Sequence, residues 1–316
     1  MTRRCGNQDC FVHEGESCPL GESPAEGCAD WLDGNETAGE VPQPEAEVAV
    51  SVPWSGAALG TSDLFNLFSY RRPVMIAVVG AHDTGKTTIL VGCYLAMMKG
   101  ATLGGASFSG SKTLEAWESL AAWVRLEKGS PSFPPHTPRG TGRVPGLLHV
   151  ALRNSSHAQR DVIFTDAPGE WFSSWAVNEE AEDASGARWI ATNADALVIV
   201  ADSKRLAGPE RGSARKELRQ LVERLGRHVG ARPVVFVWAK SDERPAEAIK
   251  ESIRAALREH LPHAQETECT TNVPATLSEA VGSAVEQAWD AAPFGRSLVI
   301  PRGTALPFNA YRGHHE

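Results

Sequence analysis

The stretch 74–90, "VMIAVVGAHDTGKTTIL", decides the fold class of this chain. It opens with a continuous apolar run, VMIAVV, of the kind that a strand buried on both faces requires. The pattern Gly80-x4-Gly85-Lys86-Thr87 follows directly, and a helical stretch begins where it ends. Strand, glycine-containing loop and helix in this order are typical of a phosphate-binding loop. The predicted nucleotide-binding residues of this loop are Gly80, Asp83, Thr84, Gly85, Lys86, Thr87 and Thr88.

Each residue type in this loop suits the chemistry of a nucleotide. Glycines let backbone N–H groups turn towards phosphate oxygens, and the positive end of the helix dipole adds to the attraction. Lys86 is predicted to bridge the terminal phosphates, and the Thr87 hydroxyl is predicted to bind Mg²⁺.

Further apolar runs lie at 147–152, 161–166, 196–202 and 233–239, with amphipathic segments between them. Alternation of such runs with helices is what a parallel sheet covered on both faces requires. The sequence therefore predicts an α/β fold with a doubly wound, mainly parallel sheet. The amphipathic faces consist of Leu218, Leu221, Val222, Leu225 and Val229, of Ile249, Ile253 and Leu257, and of Leu277, Val281 and Val285.

Composition divides the 316 residues into four regions. Residues 1–32 form a cysteine-rich module, 33–60 an acidic linker rich in Pro and Gly, 61–295 the main domain, and 296–316 a C-terminal tail. Neither a signal peptide nor a membrane span is expected, so the predicted location is cytoplasmic. A net charge of −8 argues against a general binder of nucleic acid or anionic membrane, although a local basic surface stays open.

The cysteine-rich module carries Cys5, Cys10, Cys18 and Cys28. In a reducing compartment such a cluster favours a metal over disulfides, and four thiolates are the ligand set of a structural zinc site. The alternative is a tail with free thiols. The sequence thus predicts Zn²⁺ bound by these four side chains.

A second motif, "DVIFTDAPGEWF" (161–172), places Asp166 and Gly169 at the carboxyl end of a predicted strand. In a P-loop ATPase such an Asp holds Mg²⁺ and a following Glu activates water. In a GTPase the Asp holds Mg²⁺ and the Gly N–H senses the γ-phosphate. A third motif, "VVFVWAKSD" (234–242), separates the two readings, because the Asp242 carboxylate can accept both guanine N1–H and N2–H. The predicted base-binding residues are Lys240 and Asp242.

With these motifs in order, the chain resembles the bacterial double-GTPase family of conflict or defence systems, within the TRAFAC class of P-loop GTPases. "FSGSKTLEAW", "PPHTP" and "LLHVAL" add to the likeness. The resemblance implies a Ras-like GTPase fold, GTP/GDP and Mg²⁺ as ligands, and a switch within a multi-protein system. Two residues depart from the family pattern. Ala239 occupies the position where the pattern has Asn or Thr, so the side chain that ties the base loop to the phosphate loop is missing. Glu170 follows Asp-x-x-Gly, where many GTPases have Gln.

The predicted catalytic residues are Lys86, Glu170 and Thr137. Glu170 would orient or deprotonate the attacking water, and the alternative is that it is a solvated residue of the switch. Thr137 would complete the Mg²⁺ shell together with Thr87 and Asp166. For Asp83, the hypotheses are that it binds K⁺ or that it pairs with His82 or a switch arginine. Thr141 is the second candidate for the switch threonine, and Arg139 and Arg143 are candidate arginine fingers or ordinary loop cations.

The sequence supports a Mg²⁺-dependent GTPase switch, with two alternatives. One is an ATP-using P-loop NTPase or kinase, and the other is a non-catalytic nucleotide-dependent scaffold. Protein partners are expected at the cysteine module or at the switch region. There, Trp171, Phe172 and Trp175 would either form a partner surface or pack the switch helix on the core.

Overall fold

The computed structural model describes residues 4–5, 31–32, 58–61, 63–64, 72–122 and 146–289. The chain divides into two compact units, 1–52 and 53–316. In the first unit, β1 (Arg4–Cys5) pairs in antiparallel fashion with β2 (Trp31–Leu32). The other named helices and strands belong to the second unit.

The second unit alternates strands with helices, as the apolar runs predict. Within the described ranges, its strands are β3 (Val74–Val79), β4 (Ser107–Gly110), β5 (Gly146–Arg153), β6 (Gln159–Asp166), β7 (Ala196–Asp202), β8 (Val234–Ala239) and β9 (Gln265–Cys269). Its helices are α1 (Lys86–Met98), α2 (Leu114–Ala122), α3 (Gly169–Val177), α4 (Ser185–Asn193), α5 (Ser203–Ala207), α6 (Arg211–Val229), α7 (Glu247–His260) and α8 (Ala275–Trp289), with a short 3-10 helix at Glu182–Ala184.

The described strands from β3 to β9 form one sheet in the order β4-β5-β6-β3-β7-β8-β9. Four neighbouring pairs are parallel, namely β6 with β3, β3 with β7, β7 with β8 and β8 with β9. Strand β5 runs antiparallel to both of its neighbours, β6 and β4. Helices α3, α4, α6 and α7 pack on one face of the sheet, and α1, α2 and α8 pack on the other. The predicted doubly wound, mainly parallel α/β sheet is confirmed.

The carboxyl ends of the parallel strands meet at one edge of the sheet. Val78 lies opposite Asp166 in the pairing of β3 with β6. Asp202 lies opposite Ala239, which in turn lies opposite Cys269. Loops that leave these strands therefore converge, and ligands of open α/β sheets bind at such an edge.

Two strands of the seven-stranded sheet were not anticipated from the sequence. β4 ("SFSG") and β9 ("QETEC") lie at the two edges of the sheet, so their exposed side chains do not need to be apolar. Helix α2 begins at Leu114, and residues beyond Ala122 lie outside the described part. Within the described ranges, no helix combines the length and the apolar character that crossing a membrane would require.

Two of the sequence motifs meet at His149, which is buried in β5. Its Nδ1 accepts the Lys112 N–H (2.8 Å), so the proton of the neutral ring is on Nε2, 2.9 Å from Asp161 Oδ1. Its carbonyl oxygen accepts hydrogen bonds from Ser111 Oγ and Trp117 Nε1. These contacts hold the turn before α2 against the sheet, so "FSGSKTLEAW" and "LLHVAL" have a structural role here.

The aromatic side chains of α3 point into the core. Trp171 is 8% exposed, and Phe172 and Trp175 are fully buried. Trp171 lies directly against Gly186 of α4, and the Trp175 ring lies 5.1 Å from the ring of His228 in α6. Of the two hypotheses for this group, the structure favours packing of the helix over a partner-binding surface.

Replacing Gly186 by alanine is expected to destabilise the protein by about 1–3 kcal/mol. The new Cβ would overlap the indole of Trp171, which is almost completely buried, so the ring or the helix would have to shift. Thermal unfolding of the purified variant measures the effect. G212A is the matched control: Gly212 lies in α6 with open space around it, so alanine there should stabilise the helix by up to about 1 kcal/mol. Equal melting temperatures for G186A and the wild type would contradict the close packing of α3 on α4.

Candidate functional site

The phosphate-binding loop turns sharply between β3 and α1. Gly85 immediately precedes α1 with φ 96°, and Asp83 also adopts a positive φ of 61°. Only glycine adopts the first conformation without strain, which explains why the motif has a glycine at position 85. The Thr84 hydroxyl donates to the Ala81 carbonyl (3.1 Å) and closes the loop on itself. The predicted loop residues therefore lie together around the N-terminus of α1.

Lys86 is held inside this loop and is only 7% exposed. Its Nζ donates to the carbonyl oxygens of Gly80 (3.1 Å) and Ala81 (2.9 Å). Burial lowers the pKa of Lys86 to about 8, although the nearby carboxylates of Asp166 and Glu170 act in the opposite direction. Hydrogen bonds from an ammonium group to phosphate oxygens are stronger than those to neutral carbonyl groups. A bound phosphate could therefore replace the two carbonyl partners of this poorly solvated ammonium group.

The lowered pKa of Lys86 predicts that nucleotide binding depends on pH. A bound triphosphate stabilises the charged ammonium, so above pH 8 binding must take up a proton and the affinity should fall by up to about tenfold per pH unit. Titration calorimetry in buffers of different ionisation enthalpy measures this proton uptake. K86R, whose guanidinium stays charged, should bind without the proton uptake that Lys86 contributes. Equal pH profiles for the wild type and K86R would contradict this account.

The same pKa has a consequence for stability. Between pH 8 and 10.5 the unfolded chain holds the Lys86 proton more tightly than the folded protein does. The contribution of Lys86 to the free energy of unfolding therefore rises with pH over this interval.

Thr87 and Asp166 form a pair of oxygen donors beside the loop. The Thr87 hydroxyl donates to Asp166 Oδ1 (2.9 Å), and Asp166 is 6% exposed at the end of β6. Mg²⁺ prefers one or two such protein oxygens together with waters and phosphate oxygens. The chemistry of the two side chains suits Mg²⁺, and their predicted role as its ligands stays a prediction. In the described part of the chain, no cluster of three or more His, Cys, Asp or Glu side chains could hold a metal by itself.

The segment after Asp166 lies directly on the phosphate-binding loop. Gly169, the first residue of α3, is packed so closely on Ala81 and His82 that a Cβ there would overlap their backbone. Glu170 Oε1 lies 3.3 Å from His82 Nδ1. His82, which was one of the predicted partners of Asp83, therefore joins the loop to the predicted catalytic carboxylate.

The base loop begins where β8 ends at Ala239. Lys240 has a positive φ of 55°, and its Nζ donates to the Asp83 carbonyl (2.8 Å) and to Asp202 Oδ2 (2.7 Å). The other oxygen of Asp202 accepts the N–H groups of Lys204 and Arg205 and so caps α5. Lys240 thus ties the base loop to the phosphate loop, the task for which Ala239 lacks a side chain. Asp202, which was not anticipated from the sequence, holds the Lys240 ammonium in this position.

Asp242 is oriented by a residue that the sequence analysis missed. The Thr270 hydroxyl donates to Asp242 Oδ1 (2.7 Å), and this hydrogen bond lowers the pKa of Asp242, with a smaller contribution from Lys204 in the same direction. Thr270 follows the end of β9 directly. Its position directly after the end of a strand could have indicated a role in the site. The sequence of β9 is polar, however, so this strand was not predicted.

These elements surround one cleft of about 650 Å³, a size typical of small-molecule sites. Among the described residues, the lining brings together the predicted site residues Asp83, Thr84, Gly85, Lys86, Thr87, Thr88, Gly169, Glu170, Lys240 and Asp242, together with His82, Lys204, Thr270 and Thr271.

Some predicted site residues lie outside the described part of the chain. They are Thr137, Thr141, Arg139 and Arg143 of the segment between α2 and β5. The side chains of Cys5, Cys10, Cys18 and Cys28 also lie outside it, so the predicted zinc site stays a prediction.

Comparison with known proteins gave three findings. No curated protein matches the chain. A crystal structure of nucleolar GTP-binding protein 1 from Plasmodium falciparum is similar with a TM-score of 0.41 and 10% identity, over 69% of this chain and 87% of that one. The sequence model of the family described as Double-GTPase 2 matches residues 74–289, which is more than half of the chain and contains the whole cleft. The chain therefore belongs to the Double-GTPase 2 family.

Proposed function

We propose that the protein binds GTP together with Mg²⁺, hydrolyses it to GDP and phosphate, and acts as a nucleotide-dependent switch. The observation that carries the proposal is the composition of the cleft, where the phosphate loop and a carboxylate suited to guanine line the same space. Membership of the Double-GTPase 2 family supports the same assignment.

Asp242 is the residue proposed to select guanine. Its carboxylate, held on one side by Thr270, can accept the two neighbouring donors N1–H and N2–H of guanine. Adenine presents no such donor pair, so the carboxylate would lose its water without gaining a partner. This difference favours GTP over ATP and speaks against the alternative of an ATP-using enzyme.

The phosphate end of the cleft is proposed to receive the triphosphate. Lys86 would exchange its two carbonyl partners for phosphate oxygens, and the N–H groups at the start of α1 would donate to the same anion. Thr87 and Asp166 would hold Mg²⁺, which neutralises charge on the phosphates when bound.

Hydrolysis requires a water in line with the terminal phosphate. Glu170 is the candidate that would orient this water, and for this purpose it must leave His82. The pair of these two side chains is also what favours a second candidate function, a GTP-binding protein that does not hydrolyse its ligand without an activator. Thr137 stays the proposed third protein ligand of Mg²⁺.

Phosphate release from GTP under single-turnover conditions tests the proposed hydrolysis. Wild-type protein should release phosphate from GTP in the presence of Mg²⁺, and K86A should release none. E170Q should bind GTP as the wild type does, but its rate of hydrolysis should be lower by at least about 10²-fold. GTP binding without phosphate release, in wild type and E170Q alike, would overturn the hydrolytic part and leave the second candidate.

The wider role and two further ligands rest on the sequence alone. A place in a bacterial multi-protein system and K⁺ binding at Asp83 are proposals supported by the resemblance of the motifs. Zinc binding by the cysteine module is a proposal supported by its four thiolate ligands. Hydrolysis rates in K⁺ and in Na⁺ test the proposed K⁺ binding, and equal rates would remove it.

A further inference from the structure

Helix α6 carries a row of cations on its exposed side. Arg211, Arg215 and Arg219 recur every four residues, so they share one face of the helix, and Lys216 lies beside them. All four side chains are exposed. Within the described ranges, no carboxylate lies within ion-pair distance of any of them.

Three of these cations line a groove between α6 and α7, which we call the α6 groove. Arg215, Lys216 and Arg219 form one wall, Ala256 and His260 of α7 lie opposite, and the volume is about 400 Å³. The helices come into close contact at Gly226, where a Cβ would lie 2.6 Å from the His260 carbonyl oxygen. The groove is thus a concave trough with a positively charged wall.

The arginines of the neighbouring helix α7, by contrast, form ion pairs with carboxylates. On α7, Arg254 is bound to Glu247 and Glu266, and Arg258 to Glu251. In the α6 groove the one carboxylate among the lining residues, Glu223, is engaged by Arg227. The positive charge of the groove is therefore unbalanced, although the chain as a whole carries a net charge of −8.

We propose that the α6 groove binds an acidic segment of a partner protein. Residues four apart on a helix are separated by about 6 Å along its axis, which matches the roughly 6.6 Å between alternate residues of an extended strand. A peptide with carboxylates at every second position could therefore meet Arg215 and Arg219 in turn. Each guanidinium presents a fork of donors that fits a carboxylate.

The other anionic partners fit this surface less well. A nucleic acid extends beyond a patch of four cations, and it would meet the negative charge that dominates the rest of the chain. A bilayer surface is flat on this scale and cannot enter a trough between two helices. A short acidic segment is narrow enough to enter the α6 groove and short enough to match the limited extent of its positive charge.

The groove is separate from the nucleotide cleft but is carried by a helix that touches α3. Groove and cleft share no lining residue, so the proposal does not depend on GTP hydrolysis. On the other side of α6, Glu217 accepts hydrogen bonds from Ser173 of α3 and from Arg205. A partner in the groove would thus sit on a helix that contacts the segment following Asp166.

Fluorescence anisotropy with the full chain tests the proposal. The probe is a labelled peptide of alternating glutamate and threonine, and its glutamine counterpart is the uncharged control. The glutamate peptide should bind, with an affinity that falls as salt is added, and the glutamine peptide should not. R215A/R219A should weaken binding by about tenfold or more. K99A/R153A removes two positive charges from exposed positions elsewhere and should bind as the wild type does.

Three results would overturn the proposal. One is no binding of the glutamate peptide at low salt, and another is equal binding by R215A/R219A and K99A/R153A. The third is tighter, groove-dependent binding of a single-stranded oligonucleotide or of phosphatidylserine vesicles. Binding of labelled GDP by R215A/R219A, equal to that of the wild type, shows that the variant is folded.

Discussion

Replacing Asp242 by asparagine is expected to lower the affinity for GTP by about 10²–10⁴-fold. The change removes a carboxylate that can accept two donors of guanine, and each hydrogen bond to a charged group contributes about 1.5–3 kcal/mol. Xanthine carries an oxygen where guanine carries the 2-amino group. The asparagine amide can donate to that oxygen, so D242N should bind the xanthine nucleotide better than GTP.

Competition against labelled GDP, with GTP and the xanthine nucleotide as competitors, measures this reversal. T270V serves as the control, because it keeps the Asp242 carboxylate and removes only the hydroxyl that orients it. Its affinity for GTP should fall by about tenfold, without any gain for xanthine. If D242N kept the GTP affinity of the wild type, Asp242 would not contact the base.

Replacing Asp166 by asparagine is expected to slow GTP hydrolysis by about 10²–10³-fold. Asp166 and Thr87 are the two oxygen donors beside the phosphate loop, and weaker metal binding leaves the charge of the reacting phosphates less compensated. Phosphate release at a series of Mg²⁺ concentrations measures the effect.

Removal of the metal distinguishes this effect from general damage. In excess EDTA, D166N and the wild type should bind GDP with similar affinity, because the base and phosphate loops are unchanged. Addition of Mg²⁺ should tighten nucleotide binding in the wild type and much less in D166N. Equal Mg²⁺ dependence in the two proteins would show that Asp166 has no part in holding the metal.

The strands that could be predicted are those whose sequence is a continuous apolar run. The apolar runs became β3, β5, β6, β7 and β8, because strands in the middle of a covered sheet are buried on both faces. β4 and β9 could not be predicted, since edge strands carry polar residues and lack that signal. The antiparallel direction of β5 was also hidden, because an apolar run does not reveal the direction of its strand.

The site could be predicted where its residues form local motifs. Gly80 to Thr88, Asp166, Lys240 and Asp242 are recognisable because each motif combines a strand end with a short, fixed pattern. The roles of Asp202 and Thr270 depend on contacts across the sheet. Lys240 reaches the carbonyl of Asp83 over a separation of 157 residues, and no local pattern encodes such a pairing.

The contacts of Lys240 also change the interpretation of Ala239. The sequence indicated that the base loop had lost its tie to the phosphate loop. The structure places that tie on Lys240, whose ammonium joins the Asp83 carbonyl to the buried carboxylate of Asp202. Lys240, held by a carboxylate on a neighbouring strand, thus takes over a task that the family pattern gives to the residue before the lysine.

Displacement of labelled GDP from the wild-type protein tests the central claim, that this cleft is a guanine nucleotide site, most directly. GTP and unlabelled GDP should displace the label at similar concentrations, whereas ATP should require a concentration higher by about 10²-fold or more. Displacement by ATP as effective as that by GTP would contradict the assignment of Asp242 and with it the proposed function.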